Sequence, residues 1–201
     1  MGVIDTVHTT YVHSRRVRVL SQILSALLPS HATVLDVGCG DGLLSRLVLN
    51  LREDIEIHGL DVLVRPNTHI PVKQFDGNII PADPAAYDAV MFVDVLHHTP
   101  DPMALLREAK RVARQSLIIK DHRRNGLLAG PTLRFMDYVG NARHGVSLPY
   151  NYWTQHQWFT AFTELGLKIV AWNTDLPLYP PPASWIFGRS LHFVARLDKG
   201  N

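Results

Sequence analysis

Val34-Leu35-Asp36-Val37-Gly38-Cys39-Gly40-Asp41-Gly42 joins a buried-strand run to three glycines at alternate positions. Glycine after a strand allows a tight turn and a close approach of a ligand to the main chain. Leu43-Leu44-Ser45-Arg46-Leu47-Val48-Leu49 follows with helical spacing, so its first amides should point back at that ligand. Strand, glycine loop and helix make a nucleotide-type binding turn. A plain β-to-α connection would not need three glycines within five residues.

Charge narrows the ligand. A dinucleotide brings an anionic pyrophosphate to such a loop, usually over G-x-G-x-x-G. Here the spacing is G-x-G-x-G, with Asp36 just before the loop and Asp41 inside it. Carboxylates there repel a pyrophosphate and attract a cation such as the α-ammonium and sulfonium of S-adenosyl-L-methionine. The stretch resembles motif I of the class I S-adenosylmethionine-dependent methyltransferases. That resemblance covers residues 30–121 well and implies cofactor contacts at Asp36, Gly38, Cys39, Gly40 and Gly42. It implies an α/β, doubly wound, seven-stranded, mostly parallel sheet with helices on both faces and the last strand antiparallel.

Before the loop, residues 10–28 read as a helix ended by Pro29. Tyr11, His13, Arg15, Arg16 and Arg18 crowd its first half, either as a solvated face or as a cap with an arginine reaching the ligand's carboxylate. The first strand spans 32–37 and the next helix 42–51. A second strand (55–60) ends at Asp61, about 20 positions past the glycines, where an acid suits a ribose diol or caps a helix. The resemblance agrees with the ribose role. A third strand is expected at about 71–75. The resemblance assigns Asp76, with Gly77, to the adenine amino group.

The fourth strand, Tyr87 to Val93, is a buried apolar run that leads into Asp94-Val95-Leu96-His97-His98. This segment resembles motif IV of ubiquinone- and menaquinone-type methyltransferases, which puts Asp94 near the methionine end. Adjacent histidines do not share a helix face, so no metal site is expected. His97 either faces the methyl-transfer site or packs. Asp101-Pro102 caps a helix whose Arg107, Lys110 and Arg111 should be solvated. A fifth strand at 116–119 runs into His122, at the sheet edge where open α/β sheets bind ligands. His97 and His122 are the candidate catalytic imidazoles, suited by an ordinary pKa of ~6.5.

Beyond residue 122 the alternation loosens. Residues 123–152 hold Arg123, Arg124, Arg134, Arg143 and His144 among four glycines, followed by Tyr150, Tyr152 and Trp153. A helix within 127–139 and a mobile substrate lid are expected. A helix over 154–165, strands at about 167–172 and 190–197, and an aromatic-lined loop over 176–187 complete the chain. At 201 residues and 46% hydrophobic content, residues 1–201 read as one domain, with 122–189 as lid and loop. The net charge of +2 implies no strong nucleic-acid field, and no Asn-Pro-Pro-Tyr-type base-methylation motif follows the fourth strand. Cys39 is the only cysteine, which excludes an internal disulfide and a multi-cysteine metal site. No apolar run approaches the ~20 residues of a membrane span, and a cytoplasmic setting is expected. The reading is methyl transfer to a small molecule, with an aromatic or lipid-like acceptor bearing an anionic group expected. A cofactor-binding partner subunit and an NAD-dependent oxidoreductase are the alternatives.

Overall fold

The computed structural model describes residues 13–141, 149–188 and 190–200. Arg143, His144 and Gly145 of the expected lid, and Tyr11, lie outside the described residues. Helix α1 (His13–Leu27) precedes strand β1 (Thr33–Val37), helix α2 (Leu43–Leu49) and strand β2 (Glu56–Asp61). Strands β3 (Val72–Gln74) and β4 (Tyr87–Val93) follow with no helix between β2 and β3, as the turn chemistry of Arg65-Pro66-Asn67 leads one to expect. Helix α3 (Pro102–Val112), strand β5 (Ala113–His122) and helix α4 (Ala129–Asn141) come next, then α5 (Gln155–Glu164), β6 (Leu167–Asn173), α6 (Ala183–Phe187) and β7 (His192–Lys199).

The seven strands form one sheet in the order β3-β2-β1-β4-β5-β7-β6. All described pairings are parallel except those of β7, which runs antiparallel to both β5 and β6. Strand alternation divides the core cleanly. Leu35, Val37, Val90, Phe92, Leu117 and Ile119 pack on one face, with α3 and the α5 residues Trp158 and Phe162. Val34, Ala89, Met91 and Ile118 pack on the other face with Leu20 and Leu24 of α1 and Val48 of α2.

Two expectations need correction. The fifth strand extends well beyond 116–119, because β7 pairs with it from Ser116↔Asp198 through His122↔His192. His122 is therefore the last residue of the strand, held in register. Arg111 and Lys110 are not simply solvated. Arg111 donates to the carbonyls of Ala82 (2.7 Å) and Ile80 (2.9 Å), and Lys110 donates to that of Leu165 (2.6 Å). The helix uses these cations to hold neighbouring loops whose carbonyls lack strand partners.

Candidate active site

The glycine loop turns at Gly38, Gly40 and Gly42 with φ of 75°, 62° and 76°, in the left-handed region that other residues reach only with strain. The three differ in surroundings. A Cβ at Gly38 would fall 2.5 Å from a methyl of Val95, and one at Gly42 would fall 2.5 Å from Ile70, so both are packing glycines. A Cβ at Gly40 would meet nothing within 4 Å, so the space above this residue is open for a ligand. Cys39 does not face that space alone: its sulfur lies where a Cβ on Gly59 would be, 2.5 Å away, and burial pushes its thiol pKa up.

Acids surround the loop. Asp61 accepts from the Gly40 amide (2.7 Å, Oδ2) and the Leu63 amide (2.9 Å, Oδ1), so each oxygen keeps a second lone pair for a diol. Asp36 lies on the α2 face of β1, buried, accepting from the Ser45 hydroxyl at 2.5 Å. Burial pushes its carboxyl up to about 7, against the Ser45 bond, with Asp61 adding to the rise. A cation at this point would therefore meet a carboxyl ready to lose its proton. Asp76 lies beyond the end of β3, exposed, and accepts from the amides of Asn78 and Ile79 at 2.8 Å each. Gly77, with φ 83°, places its hydrogen against a methyl of Val62.

Sequence reasoning missed the apolar surface beside these acids. Val62, Leu63 and Ile79 are 54%, 53% and 64% exposed next to Asp61 and Asp76, which suits a flat purine ring. Their only signal was three aliphatic residues (62–64) in a turn, where polar ones are usual.

Motif IV forms a 3-10 turn, Leu96–His98, after Asp94 adopts φ 58°. Its first part touches the glycine loop through the Val95–Gly38 packing. Alternation along β5 then sends Lys120 and Asp121 to opposite faces and builds two polar clusters. On the α1 face, Asp94 pairs with Lys120, which is fully buried, and with Arg16 of α1. Burial disfavours the Asp94 charge, but Lys120 and Arg16 outweigh it and hold the carboxyl well below its ordinary range. Arg16 thus reaches Asp94, which the cap reading of α1 did not anticipate. His192 of β7 closes this cluster, its Nδ1 3.3 Å from the Lys120 Nζ.

On the other side, Asp121 lies 2.6 Å from His97 Nδ1 and accepts from the Leu96 amide at 3.0 Å. His97 Nε2 faces Asp137 of α4 at 3.4 Å. Burial opposes a charge on His97, but Asp121 and then Asp137 push it up to about 10. His122, on the Lys120 face, bridges the two clusters, its Nδ1 3.4 Å from His97 Nδ1 and 3.5 Å from Asp94 Oδ1, and it is driven the other way, to about 4, by burial, Lys120 and His97. The two imidazoles are thus pulled in opposite directions. Tyr152 stacks on His97 with ring centres 5.4 Å apart and donates its hydroxyl to Asp137. Of the expected lid cations, Arg123 donates to the Ser190 carbonyl (2.6 Å) and pairs with Gln155, while Arg134 stands over the Tyr150 ring at 5.6 Å. A hollow of about 440 Å³ lined by Arg15, Leu176, Tyr179 and Ser184 opens on the α1 side, and Tyr179 carries its wall to His192.

The loop residues fit S-adenosyl-L-methionine: an open cradle at Gly40, an acid with spare lone pairs at Asp61, and a poised carboxyl at Asp36. Comparison with known proteins agrees. The sequence model of the family described as methyltransferase domain matches residues 11–171. The ubiquinone biosynthesis O-methyltransferase of Sodalis glossinidius is 30% identical over 93 residues, 40% of this chain and 36% of that protein, so the match spans about a third of this relative's length. The fold is shared with a putative methyltransferase solved with the Trm112 methyltransferase activator of Haloferax volcanii. Its TM-score is 0.72 at 16% identity, over 100% of this chain and 99% of that one. It is shared also with a SAM-dependent methyltransferase of Thermotoga maritima, a possible histamine N-methyltransferase. There the TM-score is 0.66 at 18% identity, over 98% and 95% of the two chains. The chain belongs to the methyltransferase domain family, and its loop fits S-adenosyl-L-methionine as the cofactor.

Proposed function

We propose that the chain transfers the cofactor's methyl group to the oxygen of a small aromatic or lipid-like molecule. The observation that carries this reading is the buried imidazole–carboxylate cluster of His97, His122 and Asp121, joined to the glycine loop through Val95 against Gly38. The bound cofactor supplies an electrophilic methyl on sulfonium. The chain's own residues hold and align it: Gly40 by backbone approach, with Gly38 and Gly42 shaping the loop against Val95 and Ile70, Asp61 at the ribose, Asp76 and Gly77 at adenine beside Val62, and Asp36 and Asp94 at the methionine end. Alignment of two reacting atoms can lower a barrier by roughly 7–11 kcal/mol without acid or base. His122, the neutral imidazole, takes the hydroxyl proton. The name of the Sodalis relative supports an oxygen acceptor, and the hollow beside Tyr179, lined by Arg15 and Asp175 as well as Leu176, offers a mixed polar and apolar wall for it.

The test is transfer of labelled methyl from S-adenosyl-L-methionine to a panel of phenols, catechols, amines and carboxylic acids. A phenol or catechol should be methylated. His122→Ala should then lower kcat about 10²–10⁴-fold while leaving cofactor affinity alone. Cofactor binding without turnover of any acceptor would favour a partner subunit, or a need for an activator such as the one bound to the Haloferax neighbour.

Asp61→Ala strands the Gly40 and Leu63 amides and the ribose hydroxyls. It should weaken binding of S-adenosyl-L-homocysteine by about 1–3 kcal/mol in calorimetric titration. Unchanged affinity would reduce Asp61 to a clamp on the loop.

A further inference from the structure

We propose that His97, His98 and Asp137 form a binding site for one divalent transition-metal ion of the zinc type. The inference goes beyond methyl transfer and does not depend on it.

One ligand atom from each of these residues lies within 4.8 Å of the other two. A tetrahedral zinc with ligands at about 2.0–2.2 Å separates them by about 3.4 Å. His97 Nε2 and Asp137 Oδ2 already stand 3.4 Å apart. No pair would need to close by more than about 1.4 Å to meet the same spacing.

A metal there would bind in place of the proton that Asp121 and Asp137 favour on His97. His97 Nε2 and His98 Nδ1 are buried with no hydrogen-bond partner among the described residues. Such atoms are costly unless something fills the gap between them. His97 is itself only 1% exposed.

The surroundings are those of a supported ligand set. Metal-bound histidines commonly give their other ring N–H to a carboxylate, which fixes the tautomer. Asp121 lies at His97 Nδ1 at 2.6 Å and is in turn held by the amides of Leu96 (3.0 Å) and His122 (2.7 Å). Tyr152 donates to Asp137 and orients it. A second group of possible ligands, Asp94, His97, Asp121 and His122, is less suitable. There Lys120 and Arg16 already compensate Asp94, and two fixed cations repel a third.

Two imidazoles and a carboxylate select a borderline cation over magnesium or calcium, which prefer all-oxygen shells. Three protein ligands leave a position open, the pattern of a catalytic zinc. A substrate hydroxyl bound there would lose its proton to water. On the methyl-transfer reading, its oxygen then bonds to the cofactor methyl as the S–C bond breaks, giving a methyl ether and S-adenosyl-L-homocysteine.

The experiment uses the full chain, stripped with a chelator and titrated with zinc against a chromophoric competitor. Cobalt(II) provides a second readout through its visible ligand-field bands. One tight equivalent should bind the parent protein, and zinc should raise its melting temperature. His98→Ala, at a half-buried position, and Asp137→Asn should each weaken that equivalent by at least ~10-fold. Both should melt cooperatively without metal, which separates lost ligation from lost folding. The chain has 11 histidines, so binding elsewhere is the competing outcome. Zinc held equally well by both variants, or no stoichiometric zinc or cobalt on the parent, would overturn the site. None of these readouts involves turnover, so a failed methylation assay and a failed metal site remain distinct results.

Discussion

Asp94→Ala should lower the unfolding free energy by about 3–5 kcal/mol, because it leaves a buried cation without its partner. Lys120 is fully buried and cannot swing to water, whereas the Arg16 side chain is 32% exposed and can. Alanine also has to adopt the φ of 58° that Asp94 holds, which adds about 1–2 kcal/mol. Asp94→Asn tolerates that φ and keeps an acceptor, so it should cost less than alanine. Lys120→Met should cost less again, since Asp94 retains Arg16 and a fully desolvated charge is removed. The pH dependence has a definite sign. A carboxylate whose pKa is depressed on folding contributes fully above its unfolded value of about 3.9 and loses that contribution as pH falls through the folded value. The gap between parent and Asp94→Ala is therefore widest near neutrality and narrows below about pH 4. Urea denaturation at several pH values measures this. Asp94→Ala within about 1 kcal/mol of the parent at pH 7, or Lys120→Met as damaging as Asp94→Ala, would remove the cluster from the account of stability.

The parts of the chain that were legible before folding are those whose signals are local. The glycine loop, the acid at Asp61 and the period-2 runs of β1 and β4 each carry their message within about ten residues. Asp101 before Pro102 is another: its side chain caps the Ala104 amide at 3.0 Å as expected. The antiparallel last strand came from the resemblance, and its position between β5 and β6 came from neither source.

The polar clusters were not legible, for a physical reason. A lysine at the end of a strand normally marks the surface, and only pairing with Asp94, 26 positions earlier, permits its burial. Asp137 is the single acid between residues 123 and 149, with no local partner to announce it, yet it meets His97, 40 positions before it, and Tyr152. The expectation of no metal pair assumed that the adjacent histidines lie on an α-helix. They lie instead on a 3-10 turn, with ring centres 4.0 Å apart. Partners separated by this much chain are chosen by topology, which periodicity does not encode. The same holds for Arg111, whose helix-face position suggested solvent while its acceptors lie in the loop after β3.

Gly40→Ala and Gly38→Ala should separate cofactor binding from folding more sharply than any acidic substitution. Both positions have positive φ, so each alanine costs about 1–2 kcal/mol in backbone strain. At Gly38 the new Cβ would sit 2.5 Å and 2.9 Å from the two methyls of Val95, and overpacking adds about 1–3 kcal/mol. That clash also displaces the turn leading to His97, so stability and binding should fall together. At Gly40 the Cβ meets no protein atom within 4 Å. Gly40→Ala should therefore remain folded, with a loss no larger than the strain, while its methyl group occupies the space through which the cofactor approaches the main chain. Affinity for S-adenosyl-L-homocysteine should drop by at least ~100-fold, about 2.7 kcal/mol, beyond what a modest loss of stability explains. Thermal melts without ligand, paired with calorimetric titration, give both numbers for each variant. Parent-like affinity in Gly40→Ala would mean that the cofactor does not lie over this glycine, and the assignment of the loop would have to move toward Asp41 and Gly42.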